Sequence, residues 1–462
     1  MDLAERSRRA VWHPCTQMQR HEAEPLLAIA RAEGPWLIDE QGGRHLDAIS
    51  SWWTNLFGHG HPRMVEALSA QLRTLDHVML AGLTHGPVVE LSERLGAATG
   101  LGHAFYASDG SSATEIALKM SAHAWANAGQ PGKQRFAGLA GGYHGETVGA
   151  LAVTDIPLFR AAYAPLIRLA ATLPSPDARG AQAGEDARAV ALRVAAEIDA
   201  WLAANAHTTA ALILEPLIQC AGGFAMHDAE FLRRVRASCT RHQVHLVLDE
   251  IAVGFGRTGT LFAHQQAATP DQALRPDFLC LSKGLTGGVL PLSAVLTTDA
   301  VYAAFYDREP ARGFLHSHSY TGNPLACRAA LTVLDLFEQD DVLARNAATA
   351  AALDAALAPL HTHPALRHAR RLGMVWAWDL APEWAAALAH EPGGFAGAFH
   401  RAARARGLLL RPIGPTLYLM PPYGLGAAEI AHLAEGTLAA LEATLAGARA
   451  PDPRAAPHAP LP

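Results

Sequence analysis

The chain has 462 residues, half of them hydrophobic and 17% charged, with a formal net charge of −6, which supplies a large core and excludes a basic surface for nucleic acid or acidic membrane. Five scattered cysteines without a Cys-x-x-Cys pair argue for a reducing compartment and against a zinc ribbon or disulfide framework. The start lacks an apolar leader and no uncharged run approaches the ~18 residues of a membrane helix, so a cytoplasmic enzyme of about three 150-residue units is expected.

In chain order, Asp2 to Ala10 reads as a short polar helix, and Pro14 keeps Trp12-His13-Pro14-Cys15 out of one. Gly34 to Asp47 reads as a hairpin around a Gly-rich turn. Ser50-Ser51-Trp52-Trp53 follows. In a strand, its two tryptophans would face opposite sides, and as core anchors they need no further role. Pro62 to Leu75 and Val88 to Thr99 are amphipathic helices, and Ala104 to Ser108 is a short strand. That strand runs into Asp109-Gly110-Ser111-Ser112, the opening of a helix. A glycine and two hydroxyls beside free N–H groups make an anion site, or only an ordinary capped helix start. Phe136 to Leu139 is a strand that ends on Gly141-Gly142-Tyr143-His144-Gly145-Glu146.

Pro174 to Gly184 is a flexible loop, Ala187 to Ala204 an Ala-rich helix, Thr209 to Gln219 a buried strand and its end, and Glu230 to His242 an amphipathic helix. Helix and strand alternate through Val295, which predicts a mainly parallel sheet covered on both faces. Gly313 to Pro324 is a polar loop with Ser317, His318 and Ser319, and its two histidines lack a third metal ligand. Leu325 to Gln339 is a helix leading into a smaller C-terminal domain. There Gly373 to Leu380 is an aromatic strand, Phe395 to Arg406 a helix, and Gly407 to Pro412 with Leu417 to Pro422 a hairpin. Arg411, ending an apolar strand, is placed to clamp a carboxylate or simply to face solvent. From Gly447 onward the chain is rich in Pro, Ala and Arg and is expected to be disordered.

Two strand ends carry the chemistry. The chain has 37 basic residues and only three are lysines. One of them, Lys283, follows the apolar run Phe278-Leu279-Cys280-Leu281 and precedes a Gly/Thr-rich turn. An amine loses its proton in an apolar pocket and attacks a carbonyl, which guanidinium does not do; a lysine snorkelling from a strand end is the structural alternative. Earlier, Val244 to Leu248 ends on Asp249-Glu250, followed by Gly254-Phe255-Gly256-Arg257-Thr258-Gly259. Carboxyl ends of neighbouring strands are where open α/β sheets bind ligands. A carboxylate and a lysine there form either an ion pair or the two ends of a pyridoxal phosphate site.

Asp249-Glu250-Ile251-Ala252, Gly254 to Gly259 and Ser282-Lys283-Gly284-Leu285-Thr286-Gly287-Gly288 resemble the class III aminotransferases of fold type I, and the resemblance runs from about Trp12 to about Pro422. It implies an α/β fold: a mainly parallel large domain over 56–325 and a smaller α+β domain combining 1–55 with 326–446. It implies pyridoxal 5′-phosphate as cofactor, with Lys283 bonded to it, Asp249 at its ring nitrogen and Tyr143 over its face. Gly110 and Ser111 would hold the phosphate, with Ser112 nearby. Ser319, flanked by His318 and Ser317, would complete that site from a second subunit, so a homodimer with the active site at the interface is expected. Trp52 more than Trp53, with Tyr143, Ser317 and Cys15, would line the substrate pocket. Arg411 would hold the carboxylate of the amino acceptor, and Glu146 and Arg257 occupy positions that pair in the family. Ala252, the Trp52-Trp53 pair and Arg411-Pro412 favour the biotin-pathway branch over members acting on ω-amino acids or ornithine. S-adenosylmethionine is the expected donor, with lysine the alternative, because Cys15 stands where well-known members carry tyrosine.

Overall fold

Strands Thr209–Leu214, His245–Asp249 and Phe278–Leu281 are apolar on both faces and almost wholly buried. Such strands need helices on either side. The computed structural model, which describes residues 2–271 and 273–448, places them in the middle of a seven-stranded sheet. Across the sheet the order is His103–Ala107, Ser293–Thr297, Phe278–Leu281, His245–Asp249, Thr209–Leu214, Arg135–Leu139 and Ala171–Leu173. Only Ser293–Thr297 runs antiparallel to its neighbours. The expected mainly parallel α/β sheet is therefore present.

Alternation along each strand sorts the core into two layers. Ala211, Ile213, Val247, Phe278, Cys280 and Val295 pack with Ile116, Ala117 and Met120 of helix Gly110–Asn127. Leu212, Leu246, Leu248, Leu279 and Leu281 face the other way, into the layer holding Val194, Ile198, Phe231 and Val235 of helices Ala187–Asn205 and Glu230–Arg241. In this register Asp249 lies opposite Cys280, which puts the Asp249 carboxylate beside the strand that continues into Lys283.

Early and late segments of the described chain meet. Strands Ile29–Glu33, Trp36–Asp39 and Arg44–Leu46 form one antiparallel sheet, and Leu366–Leu372, Val375–Leu380 and Thr416–Leu419 form another. Leu46 N–H donates to the Gly407 carbonyl at 2.8 Å, and Leu409 N–H donates to the Leu46 carbonyl at 2.8 Å. Residues 407–412 are thus not the expected hairpin partner of Thr416–Leu419, whose neighbour is Val375–Leu380. Gly414 turns the chain at φ +54, and only the bridge Ile413 to Thr416 joins the two stretches. Helix Pro324–Gln339 buries ten of its residues and packs on Pro62–Thr74 and Gly86–Thr99. The last described helix is Ala427–Ala446. Of the tail expected to be disordered, residues 449–462 lie outside the described residues.

Candidate active site

The carboxyl ends of the parallel strands open into a cavity of about 390 Å³. Asp249, at the end of His245–Asp249, is 3% exposed, and its carboxylate lies 2.7 Å from His144 Nδ1 while accepting from Ile251 N–H at 3.0 Å. Lys283 begins a short 3₁₀ turn beyond Phe278–Leu281 and holds a positive φ of 43°. Its Nζ lies 5.1 Å from the centre of the Trp53 ring. Burial pushes the Lys283 amine below its ordinary pKa, against the opposing pull of Asp249, Cys220 and Glu215.

Glu215 ends strand Thr209–Leu214 on the same rim. Its carboxylate accepts from Tyr143 N–H at 3.0 Å and Cys220 N–H at 3.1 Å. Burial, the largest influence, still pushes it up to about 7, with His144 pulling the other way. Tyr143 lines the cavity and donates its hydroxyl to Glu146 at 2.9 Å; burial and that carboxylate raise the phenol's pKa. At the far end, Asp109 caps helix Gly110–Asn127, and Gly110 and Ser111 line the cavity. Gly145 sits at φ +117, where a Cβ would run into Ser111, so the tyrosine loop and the helix start touch only because that residue is glycine.

The tryptophans are not in a strand. Ser50, Ser51, Trp52 and Trp53 have φ of 52, 45, 73 and 71°, a left-handed turn of four non-glycine residues. Each such residue costs roughly 1–2 kcal/mol, so outside contacts must hold the turn. It parts the two rings. Trp53 is buried in the cavity and donates from Nε1 to Tyr418 OH at 3.1 Å. Trp52 is 45% exposed and lies 5.2 Å from the Arg411 guanidinium in a separate outer cavity. Trp53, rather than Trp52, is thus the ring beside Lys283.

The remaining expected residues fall in three places. Ser112 is spent on the helix cap, donating its N–H and hydroxyl to Asp109 at 2.9 and 2.7 Å. Arg411 donates to the Cys15 carbonyl at 3.2 Å, and Cys15 is exposed, its thiol raised by burial and by Glu146. Ser317 and Ser319 are exposed on the loop outside the cavity, while His318 Nε2 lies 2.6 Å from the Ser108 hydroxyl on the cavity wall. Glu146 and Arg257 do not pair. Arg257 is 1% exposed and donates to the Pro421, Asn55 and Trp53 carbonyls at 2.6, 3.1 and 3.5 Å. Sequence reading passed over His144 and Glu215. Glu215 had the same signal as Asp249, a carboxylate ending an apolar strand; His144 had only its place beside Tyr143.

Comparison with known proteins gives the same picture. A protein from Helicobacter pylori named adenosylmethionine-8-amino-7-oxononanoate aminotransferase is 40% identical over 438 residues, covering 94% of this chain and 96% of its own. A Geobacter sulfurreducens protein of that name is 37% identical over 94% of this chain and 96% of its own. Among solved structures, an omega transaminase from Pseudomonas jessenii in complex with PMP has a TM-score of 0.89 at 26% identity, covering 96% of this chain and 98% of its own. The adenosylmethionine-8-amino-7-oxononanoate aminotransferase of Methanocaldococcus jannaschii has a TM-score of 0.84 at 32% identity, covering 95% and 98%. The donor set fits pyridoxal phosphate, the cofactor of such enzymes. An amine of lowered pKa suits its aldehyde, a buried carboxylate steadied by His144 suits its ring nitrogen, and a helix start with Gly110 and Ser111 suits its phosphate. The aminotransferase class-III family matches residues 17–441, and the chain belongs to that family.

Proposed function

We propose that this chain transfers an amino group from S-adenosylmethionine to the ketone of 8-amino-7-oxononanoate, giving 7,8-diaminononanoate for biotin synthesis. The observation that carries the chemistry is Lys283 and Asp249 on one cavity wall, with the amine's pKa lowered by burial. Near-full-length relatives at 37–40% identity with that name support the substrate assignment. When bound, pyridoxal phosphate supplies a ring that takes up the electron pair left when a proton leaves the substrate carbon. Lys283 Nζ would take up that proton and give it back within the cavity. The Asp249 carboxylate would hold the cofactor at its ring nitrogen and keep it protonated, and His144 Nδ1 orients that carboxylate. Trp53 and Tyr143 wall off water from the reacting carbon, and Arg411 with Trp52 receives the anionic end of the acceptor from the outer cavity. Cys15, whose carbonyl accepts from Arg411, presents a smaller side chain than tyrosine and so leaves room for the bulky donor.

We further propose a cytoplasmic homodimer in which Ser319, with Ser317 and His318 beside it, reaches the phosphate end of a second copy's cavity. The exposure of Ser317 and Ser319 in the single chain supports this, whereas His318 is bonded to Ser108 of its own chain, and no described helix is long and apolar enough to cross a membrane.

The test supplies S-adenosylmethionine and lysine separately to the holoenzyme and follows its visible absorbance through a single turnover. S-adenosylmethionine should bleach it and 8-amino-7-oxononanoate restore it, with the diamine seen by mass spectrometry and Lys283→Ala inert. Bleaching by lysine alone would reassign the donor; no recovery with the keto acid would reassign the acceptor.

A further inference from the structure

Asp47 is fully buried, and its carboxylate serves the segment just beyond it. It accepts from Ser51 N–H at 2.8 Å and from the Ser51 hydroxyl at 2.6 Å, and His59 Nε2 lies 3.2 Å away. Ser51 is in the middle of the left-handed run 50–53. L-residues leave that region unless the surroundings over-determine it. Other contacts also act on the run, among them Ser50 Oγ to the Met420 carbonyl at 2.7 Å, Trp53 Nε1 to Tyr418 OH at 3.1 Å, Arg257 to the Trp53 carbonyl at 3.5 Å and Thr54 Oγ1 to the Ser51 carbonyl at 3.1 Å. Among the described residues only Asp47 binds Ser51 through both its backbone and its side chain.

The turn decides where two adjacent rings go. Trp53 lies in the inner cavity, 5.1 Å from Lys283 Nζ. Trp52 lies in an outer cavity of about 580 Å³ with His400, Leu409 and Arg411. A right-handed or extended backbone over 50–53 would re-aim both rings.

We infer that Asp47 is a positioning residue for substrate recognition: by holding residues 50–53 left-handed it sets Trp53 at the reacting end and Trp52 at the anionic end of an extended keto-acid substrate. The inference rests on the transaminase reading above. Asp47 lines neither cavity and acts on the two rings through the turn, chiefly by its two bonds to Ser51.

The test is Asp47→Asn in the holoenzyme, which keeps the shape but turns one acceptor into a donor facing Ser51. The KM for 8-amino-7-oxononanoate should rise about tenfold or more, the loss of a charge-assisted hydrogen bond, with kcat changed less than about threefold. The near-ultraviolet circular dichroism of the Trp53, Tyr418 and Phe224 cluster should weaken with it. Adding Ser51→Gly should restore both, because glycine enters the left-handed region without cost and has no hydroxyl to satisfy. If Asp47→Asn does not fold, the double variant should fold and bind substrate normally. An unchanged KM, or a defect or unfolding that Ser51→Gly leaves untouched, overturns the inference. The dichroism arm needs no substrate, so failure of the wild type to aminate the keto acid would remove the functional reading while leaving the role of Asp47 in the turn separately measured.

Discussion

At the scale of single residues, the site is a set of charges separated from water by strand ends. The Lys283 amine faces the Trp53 ring and forms no ion pair among the described residues. Asp249 is bonded to His144 and to Ile251 N–H. Asp249→Asn should retain cofactor and lose at least ~100-fold in kcat, because a neutral amide no longer holds the developing charge; steady-state kinetics with cofactor content measured in parallel check this. Glu215 gives a second prediction. Its carboxyl is raised to about 7 in the folded protein, so the folded state binds its proton more tightly than the unfolded one. The stability this contributes is present below about pH 4.5 and is lost as pH rises through about 7. With the cofactor removed, Glu215→Gln should therefore improve its melting temperature relative to wild type on going from pH 5 to pH 8. An unchanging difference across that window would mean Glu215 is already ionised.

At the scale of elements, glycine lets two segments touch that would otherwise stand apart. Gly288 sits at φ +85, and a Cβ there would lie 2.8 Å from the Thr54 carbonyl carbon and the Asn55 nitrogen. The turn after Lys283 therefore lies directly on the chain leaving the tryptophan turn. Gly288→Ala should destabilise the protein by about 1–3 kcal/mol through backbone strain and raise KM by displacing Lys283 from Trp53; thermal unfolding beside kinetics reads both. The 407–412 segment has a comparable role on the outer side. It bonds Leu46, and so carries Arg411 to Trp52 and Cys15. Arg411→Ala should slow the keto-acid half-reaction by about 10- to 100-fold, the ~1.5–3 kcal/mol of a charged hydrogen bond, and spare the donor half-reaction. Equal losses in rapid-mixing measurements of the two halves would make Arg411 structural.

At the scale of the whole molecule, three distant stretches build one site, and Arg257 ties them. From the centre of the chain its guanidinium reaches the carbonyls of Trp53 and Asn55 on one side and Pro421 on the other, beneath the Tyr423 ring. A buried arginine that neutralises carbonyl dipoles of both ends is costly to leave unpaired, so these contacts form together. One end of the cavity is lined by Gly110 and Ser111, with Ser319 exposed outside it. Sedimentation should give twice the mass of one chain, and Ser319→Ala should weaken cofactor retention several-fold without changing that mass; a monomer retaining full activity would remove the second-subunit role.

The sheet, its flanking helices and the Lys283 and Asp249 strand ends were legible in the residues alone, because apolar period and a lone charge after an apolar run are local signals. The biotin-branch reading came from motif resemblance over the same segments. Other features depended on contacts between residues far apart in sequence. The left-handed Ser50 to Trp53 turn contradicts local preference and exists because Asp47, Met420 and Tyr418 hold it. His144 and Glu215 entered the site through the meeting of separate strand ends, and Arg257 was diverted from Glu146 by carbonyls from both ends of the chain. Composition and periodicity therefore determined the layers and marked Lys283 and Asp249 as an ion pair or a cofactor site, a choice left to the motif resemblance, while the tertiary structure alone decided which ring faces the amine, because long-range hydrogen bonds can stabilise a backbone conformation that local sterics disfavour.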